Sequence, residues 1–151
     1  VTEGWQVPGG ERVYMEASAQ RAIVELSRGE PFLFQLAGER SWYAGTDDLI
    51  TAEQVASGWR GAAHEAETHV QRILERLPAR ERAFLEAMAQ LPPAERTLTN
   101  IARALDYRRA SDAGPTAQRL DLIRRVIRRG RPHYTFRNRA VGAYLESDWP
   151  E

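Results

Sequence analysis

Cysteine and lysine are both absent from this chain of 151 residues. Without cysteine there are no disulfides and no thiolate metal sites, so redox chemistry does not fix the compartment. Without lysine the phosphate-binding sequence Gly-x-x-x-x-Gly-Lys-Ser/Thr cannot occur anywhere in the chain. There is no apolar run long enough to span a bilayer and no basic segment leading into an apolar one, so the chain reads as a cytoplasmic protein with no membrane contact. No Ser-His-Asp set, metal-ligand spacing or paired-carboxylate pattern stands out, and the reading is of a non-enzyme. His64 and His69 are five residues apart on one helical stretch, which points them in different directions and excludes the i, i+4 ligand pair.

What the chain has is arginine. It supplies all 21 cations against 21 acids, and with the many alanines this suits a GC-rich bacterial genome. The net charge of zero hides an asymmetry: residues 1–78 carry 12 acids and seven arginines, a balance of −5, whereas residues 79–151 carry nine acids and 14 arginines, a balance of +5. With 42% hydrophobic residues the chain can bury one sizeable core or two small ones.

Periodicity predicts a mainly α protein in two parts after a linker at 1–14. In the first part, 15–77, a helix from Met15 carries Ala19, Ala22, Ile23 and Leu26 on one face and ends at Gly29. Pro31 opens a second helix over Phe32 to Tyr43, closed by Gly45. Asp47 and Asp48 form a loop, and Thr51 caps a long helix carrying Val55, Trp59, Ala62, Ala66 and Val70 to about Leu77. The aromatics Phe32, Phe34, Trp42, Tyr43 and Trp59 sit at helical spacing and read as core rather than as a ligand box.

The second part, 78–151, reads as short helices with tight turns. One covers Ala79 to Leu91, with Phe84, Leu85, Met88 and Leu91 inward, and Pro92-Pro93 stop it. Thr99 is the expected cap of Asn100 to Asp106, where Ile101, Ala104 and Leu105 face in, and Tyr107 to Gly114 form a loop. Pro115 starts a helix with Ala117, Leu120 and Ile123 at core spacing. Val126 to Arg128 and His133 to Phe136 form two strands around Arg129-Gly130-Arg131-Pro132, and a last helix carries Val141, Tyr144 and Leu145. Three helices, a hairpin and a closing helix are the order of a winged helix-turn-helix. Eight arginines lie between Arg119 and Arg139. On this reading Thr116, Gln118 and Arg119 occupy the exposed side of the recognition helix, where Gln and Arg pair with base edges, and Arg128, Arg129 and Arg131 reach phosphate or a minor groove from the wing. Against this, arginine must do every solubilising task in a chain without lysine, and +5 is modest for a nucleic-acid binder.

The segment Ser27-Arg28-Gly29-Glu30-Pro31-Phe32-Leu33-Phe34-Gln35-Leu36 resembles the Gly-x-Pro-(apolar)-Gln stretch in the helical lid of AAA+ and related signal-transduction P-loop ATPases, including origin-recognition-type ATP-binding proteins. The likeness in order and kind covers residues 15–145, although the identical motif is only a few residues long. It implies a helical lid bundle followed by a winged helix, with Gly29 and Pro31 near the adenine of a nucleotide held by a preceding ATPase domain. Origin-type members often place an arginine just after this proline; Phe32 stands there in this chain, leaving Arg28 and Arg40 as the candidates to replace it. The resemblance implies no cofactor in this chain, ATP and Mg in the intact parent, and three kinds of partner: the missing N-terminal ATPase domain, duplex DNA and a protein. The functions it implies are a C-terminal ATPase module that senses nucleotide and binds DNA, or a protein-interaction or autoinhibitory module of a signalling ATPase. A free-standing winged-helix transcription regulator, dimerising through residues 15–77, is the third expectation.

Overall fold

The computed structural model describes residues 5–6 and 12–151 and divides the chain into two compact units. The first comprises residues 1–68 together with Pro150 and Glu151, and the second His69 to Trp149. Among the described residues the protein is mainly helical, with small sheets of two and three short strands.

In the first unit β1 (Trp5–Gln6) pairs antiparallel with β2 (Arg12–Met15), and β2 pairs parallel with β3 (Leu49–Ile50). Parallel neighbours need a crossover, and two helices provide it: α1 (Ala17–Ser27) and α2 (Pro31–Ala44). The linker expected at 1–14 therefore ends earlier, because Arg12, Val13 and Tyr14 already belong to a sheet; residues 1–4 and 7–11 lie outside the described residues.

Helix α1 buries Ala19, Ile23 and Ser27, one per turn. It ends where Arg28 (φ 51°) and Gly29 (φ 80°) both take the left-handed conformation, which reverses the chain, and Pro31 starts α2 at a position needing no N–H. Helix α2 buries Leu33, Leu36, Ala37 and Ser41 but leaves Phe32, Phe34, Trp42 and Tyr43 exposed, so only Trp59 of the expected aromatic core is buried.

Helix α3 (Ala52–Glu75) begins at a reciprocal cap, with Thr51 Oγ1 accepting from Gln54 N at 3.3 Å and Gln54 Oε1 from Thr51 N at 3.0 Å. Val55, Trp59, Ala62 and Ala66 form its buried stripe in this unit. Gly58 lets α3 approach α2 closely: a Cβ there would stand 2.5 Å from the Arg40 carbonyl oxygen. Trp59 Nε1 donates to the Pro150 carbonyl at 2.6 Å.

The second unit holds the end of α3, α4 (Ala79–Gln90), α5 (Leu98–Ala104), α6 (Gly114–Leu122), the antiparallel hairpin of β4 (Ile127–Arg128) and β5 (Thr135–Phe136), and α7 (Arg139–Glu146). Val70, Phe84, Leu85, Met88, Ile101, Leu120, Ile127 and Val141 are its largest fully buried side chains. Thr97, not Thr99, caps α5: its Oγ1 accepts from Asn100 N at 3.2 Å, and the helix starts two residues earlier than the expected cap allows. The expected loop before α6 contains a 3-10 turn at Ala110–Ala113 that runs directly into the helix.

Two arginines brace this unit. Arg96, 7% exposed, donates from Nε to the Met88 and Leu91 carbonyls at 3.0 Å each, pairs through Nη2 with Glu146 at 2.8 Å, and lies over the Phe136 ring at 5.4 Å. It thereby satisfies carbonyls at the end of α4 while joining β5 to α7. Arg124 reaches Glu81 Oε1 at 3.0 Å, covering a carboxylate that is otherwise buried in α4.

Candidate binding surface

The boundary between the two compact units sharpens the charge asymmetry. The first unit carries 12 acids and five arginines, a balance of −7, and the second 16 arginines and nine acids, a balance of +7. Most of the second unit's excess lies on α6 and the hairpin that follows it.

Helix α6 is short, and its buried side is Thr116, Ala117 and Leu120. Thr116 is 8% exposed, which removes it from the expected outward set. Its place beside Ala117 and one turn before Leu120 makes it part of the packed face. Pro115, Gln118, Arg119, Leu122 and Ile123 are exposed instead, at i, i+3, i+4, i+7 and i+8, which is one face of a helix. Ile123, expected in the core, is 68% exposed, and Leu122 is 58% exposed. The cause is the way the helix ends: Arg124 N donates to the Arg119 carbonyl, Arg125 turns left-handed (φ 57°), and Val126 N donates back to the Leu120 carbonyl at 2.9 Å. This reversal sends Val126 and Ile127 inward in place of Ile123.

The hairpin is tied to α6 through Asp121. One of its carboxylate oxygens accepts from Arg129 Nε at 2.9 Å and from Arg129 N at 3.4 Å, and the other from Arg137 Nη2 at 3.2 Å. The hydrogen bond from the Arg129 side chain, outweighing the opposing effect of partial burial and helped by the Arg129 backbone and Arg137 bonds, holds the Asp121 carboxyl below its ordinary range. Arg129 is therefore engaged in holding the hairpin to the helix. Gly130 makes the turn possible, since a Cβ there would stand 1.8 Å from the His133 carbonyl oxygen. Behind the turn, Tyr134 packs 8% exposed against Phe84, and burial pushes its hydroxyl pKa upward. A cleft of about 620 Å³ between hairpin and α5 is lined by Thr97, Thr99, Asp121, Arg129, Arg131 and Tyr134.

Of the six residues expected to bind, Gln118 and Arg119 remain on the open face of α6, and Arg128 and Arg131 remain exposed on the hairpin. Arg125, absent from the expected set, joins them because its left-handed backbone ends the helix facing solvent. Among the described residues Arg119, Arg125, Arg128 and Arg131 meet no carboxylate. The exposed Leu122-Ile123 pair was also missed, because apolar residues at core spacing carry no signal that a helix stops before using them.

Gly29 and Pro31 lie in the first unit, both exposed, at the α1–α2 reversal. They border a cleft of about 340 Å³ with Val24, Ser27, Phe34 and Gln35, whose walls are chiefly apolar. A larger apolar groove of about 540 Å³ opens beside it between the sheet and the two helices, lined by Met15, Ile23, Val24, Phe34, Trp42 and Ile50 among others. No group of three or more His, Asp or Glu side chains among the described residues is arranged to hold a metal ion. Nor is any helix among them long and apolar enough to cross a membrane. Compared with models of protein families, with characterised proteins and with solved structures, the chain matches none.

Proposed function

We propose that this chain is the non-catalytic C-terminal part of a P-loop ATPase, in which the first unit serves as a helical lid and the second as a winged helix that binds duplex DNA. The observation that carries the DNA reading is the set of four exposed, carboxylate-free arginines on α6, its end and the hairpin, in a unit with a balance of +7. In this reading α6 is the recognition helix, presenting Gln118 and Arg119 to base edges, and Arg125, Arg128 and Arg131 neutralise phosphates. Arg129 holds the wing in position through Asp121 rather than contacting the backbone itself. The lid reading rests on the resemblance of the Gly29-Glu30-Pro31 segment and on the helix-reversal-helix geometry found there. Gly29 and Pro31 would lie near the nucleotide, and ATP and Mg would be held by the parent's ATPase domain.

The test is binding of labelled duplex DNA as a function of salt. Binding is expected to weaken steeply with salt, and Arg125→Ala with Arg128→Ala should lower the salt slope by about two, one for each phosphate no longer neutralised. Absence of binding at low salt overturns the DNA reading. A second reading, in which the same face contacts a protein, is favoured by one specific feature: Leu122 and Ile123 present an aliphatic surface that phosphates do not need. Under that reading the unit is an interaction or autoinhibitory module, and the double arginine variant leaves DNA binding, absent from the start, unchanged.

A further inference from the structure

Tyr134, just before β5, is 8% exposed, yet its hydroxyl meets no hydrogen-bond partner among the described residues. A polar group so far from bulk water ordinarily has one. The oxygen is not sealed in the core either, since Arg82 Nε is the one enclosed side-chain atom without a partner among the described residues. The hydroxyl therefore opens onto the cleft of about 620 Å³ that Tyr134 lines between the hairpin and α5. Burial pushes its pKa upward, which keeps the proton on the oxygen and makes the group a donor.

Further donors line the same cleft. Thr97 Oγ1 accepts from Asn100 N and keeps its own proton to give, and Thr99 is exposed beside it. Arg129 spends its Nε and backbone N–H on Asp121, which leaves its Nη atoms for another acceptor. The carboxylate in the lining, Asp121, is covered by Arg129 and Arg137, so these three side chains together carry one net positive charge. Leu98 and Pro132 add apolar wall. Arg131 also borders the cleft, but neither the donors nor the charge counted here includes it.

We propose that this cleft binds a small oxyanion, a phosphate monoester or carboxylate on a compact apolar body, through the Tyr134, Thr97 and Thr99 hydroxyls and the Arg129 Nη atoms. An oxyanion is the class that fits, because the groups facing the cleft offer hydrogens and the one carboxylate among them is already satisfied. The body lies against Leu98 and Pro132, in a volume within the range of small-molecule sites. The site requires neither the ATPase reading nor the DNA reading.

The test is an NMR titration of the amides of the 151-residue chain, without DNA and at constant ionic strength, with phenyl phosphate and separately with benzoate. At least one probe is expected to bind saturably, with a Kd of about 1 mM or tighter, and to shift the amides of Thr97, Arg129 and Tyr134; the tighter probe identifies the oxyanion. Tyr134→Phe removes only the hydroxyl and should weaken binding about tenfold, the effect of one hydrogen bond to a charged acceptor. Without ligand it should melt at or above the wild-type temperature, which a hydroxyl with a merely structural role would not allow. Thr99→Val, at an exposed position, provides a second variant and should cost about threefold. Saturation by neither probe, shifts confined to residues away from the cleft, or equal affinity in Tyr134→Phe overturns the proposal. Duplex DNA is titrated separately, and Tyr134→Phe should match the wild type whether or not the wild type binds. A loss of DNA binding in that variant would make the backbone phosphate the anion and overturn the small-ligand site.

Discussion

The two units treat their charges in opposite ways. The first displays its acids: none of its described carboxylates is buried, and its Arg40–Glu65 ion pair joins side chains that are 38% and 47% exposed. The second draws acids inward and spends arginines on them, as with Glu81, 3% exposed under Arg124, and Asp121, 12% exposed between Arg129 and Arg137. The lesson is that net charge understates what a partner meets. In the second unit the acids that offset the arginines on paper are partly hidden, and the exposed α6 and hairpin surface is more cationic than a balance of +7 suggests.

That contrast is broken most severely at Arg124. Arg124→Ala strands the Glu81 carboxylate without its partner and should cost about 3 kcal/mol in chemical denaturation. Glu81→Gln should cost about 1 kcal/mol, because Arg124 is exposed enough to return to water. Arg40→Ala in the first unit should cost less than about 1 kcal/mol. Equal losses for Arg124→Ala and Arg40→Ala would erase the distinction between the units.

Next in size are two glycines of α3, which should respond with opposite signs. Gly58→Ala drives a methyl into the Arg40 carbonyl and should destabilise by about 1–3 kcal/mol. At Gly61 a Cβ would meet nothing within 4 Å, so Gly61→Ala should stabilise by about 1 kcal/mol through helix propensity. Thermal melts of both variants check the pair.

The smallest effect is one of pH. The folded state holds the Asp121 carboxyl below its unfolded value, chiefly through the Arg129 hydrogen bond. Its contribution is complete above about pH 4, the unfolded value, and is lost as pH falls through the lower folded one. Denaturation curves should therefore show a shallower acid loss in Asp121→Asn than in wild type, and identical slopes would remove Asp121 from the account.

Much of the helical order was legible in the sequence because it rests on local signals. Gly29 and Pro31 mark the α1–α2 reversal, Thr51 caps α3, and the Arg-Gly-Arg-Pro run lies in the hairpin loop. What escaped depends on distant or competing partners. The parallel pairing of Tyr14 with Leu49 and Met15 with Ile50 joins strands too short to show alternation, across two intervening helices. Thr97 and Thr99 are chemically equal caps, so composition does not separate them, and it is Thr97 Oγ1 that accepts from Asn100 N. In the candidate site the arginines could be found by counting. Ile123 turning outward could not, because the left-handed residue that ends α6 is an arginine rather than a glycine; nor could Thr116 turning inward, since a threonine carries no sign of which helix face is packed.

The bond from Trp59 to the Pro150 carbonyl spans 91 positions. It makes the second unit, in terms of connectivity, an insertion within the first. On a ribosome Trp59 emerges 91 positions ahead of its carbonyl partner, and Pro150 follows directly on Trp149, the last residue of the second unit. The unit begun first is therefore completed no earlier than the second. The emergence of Pro150, rather than that of α3, is the event that completes it.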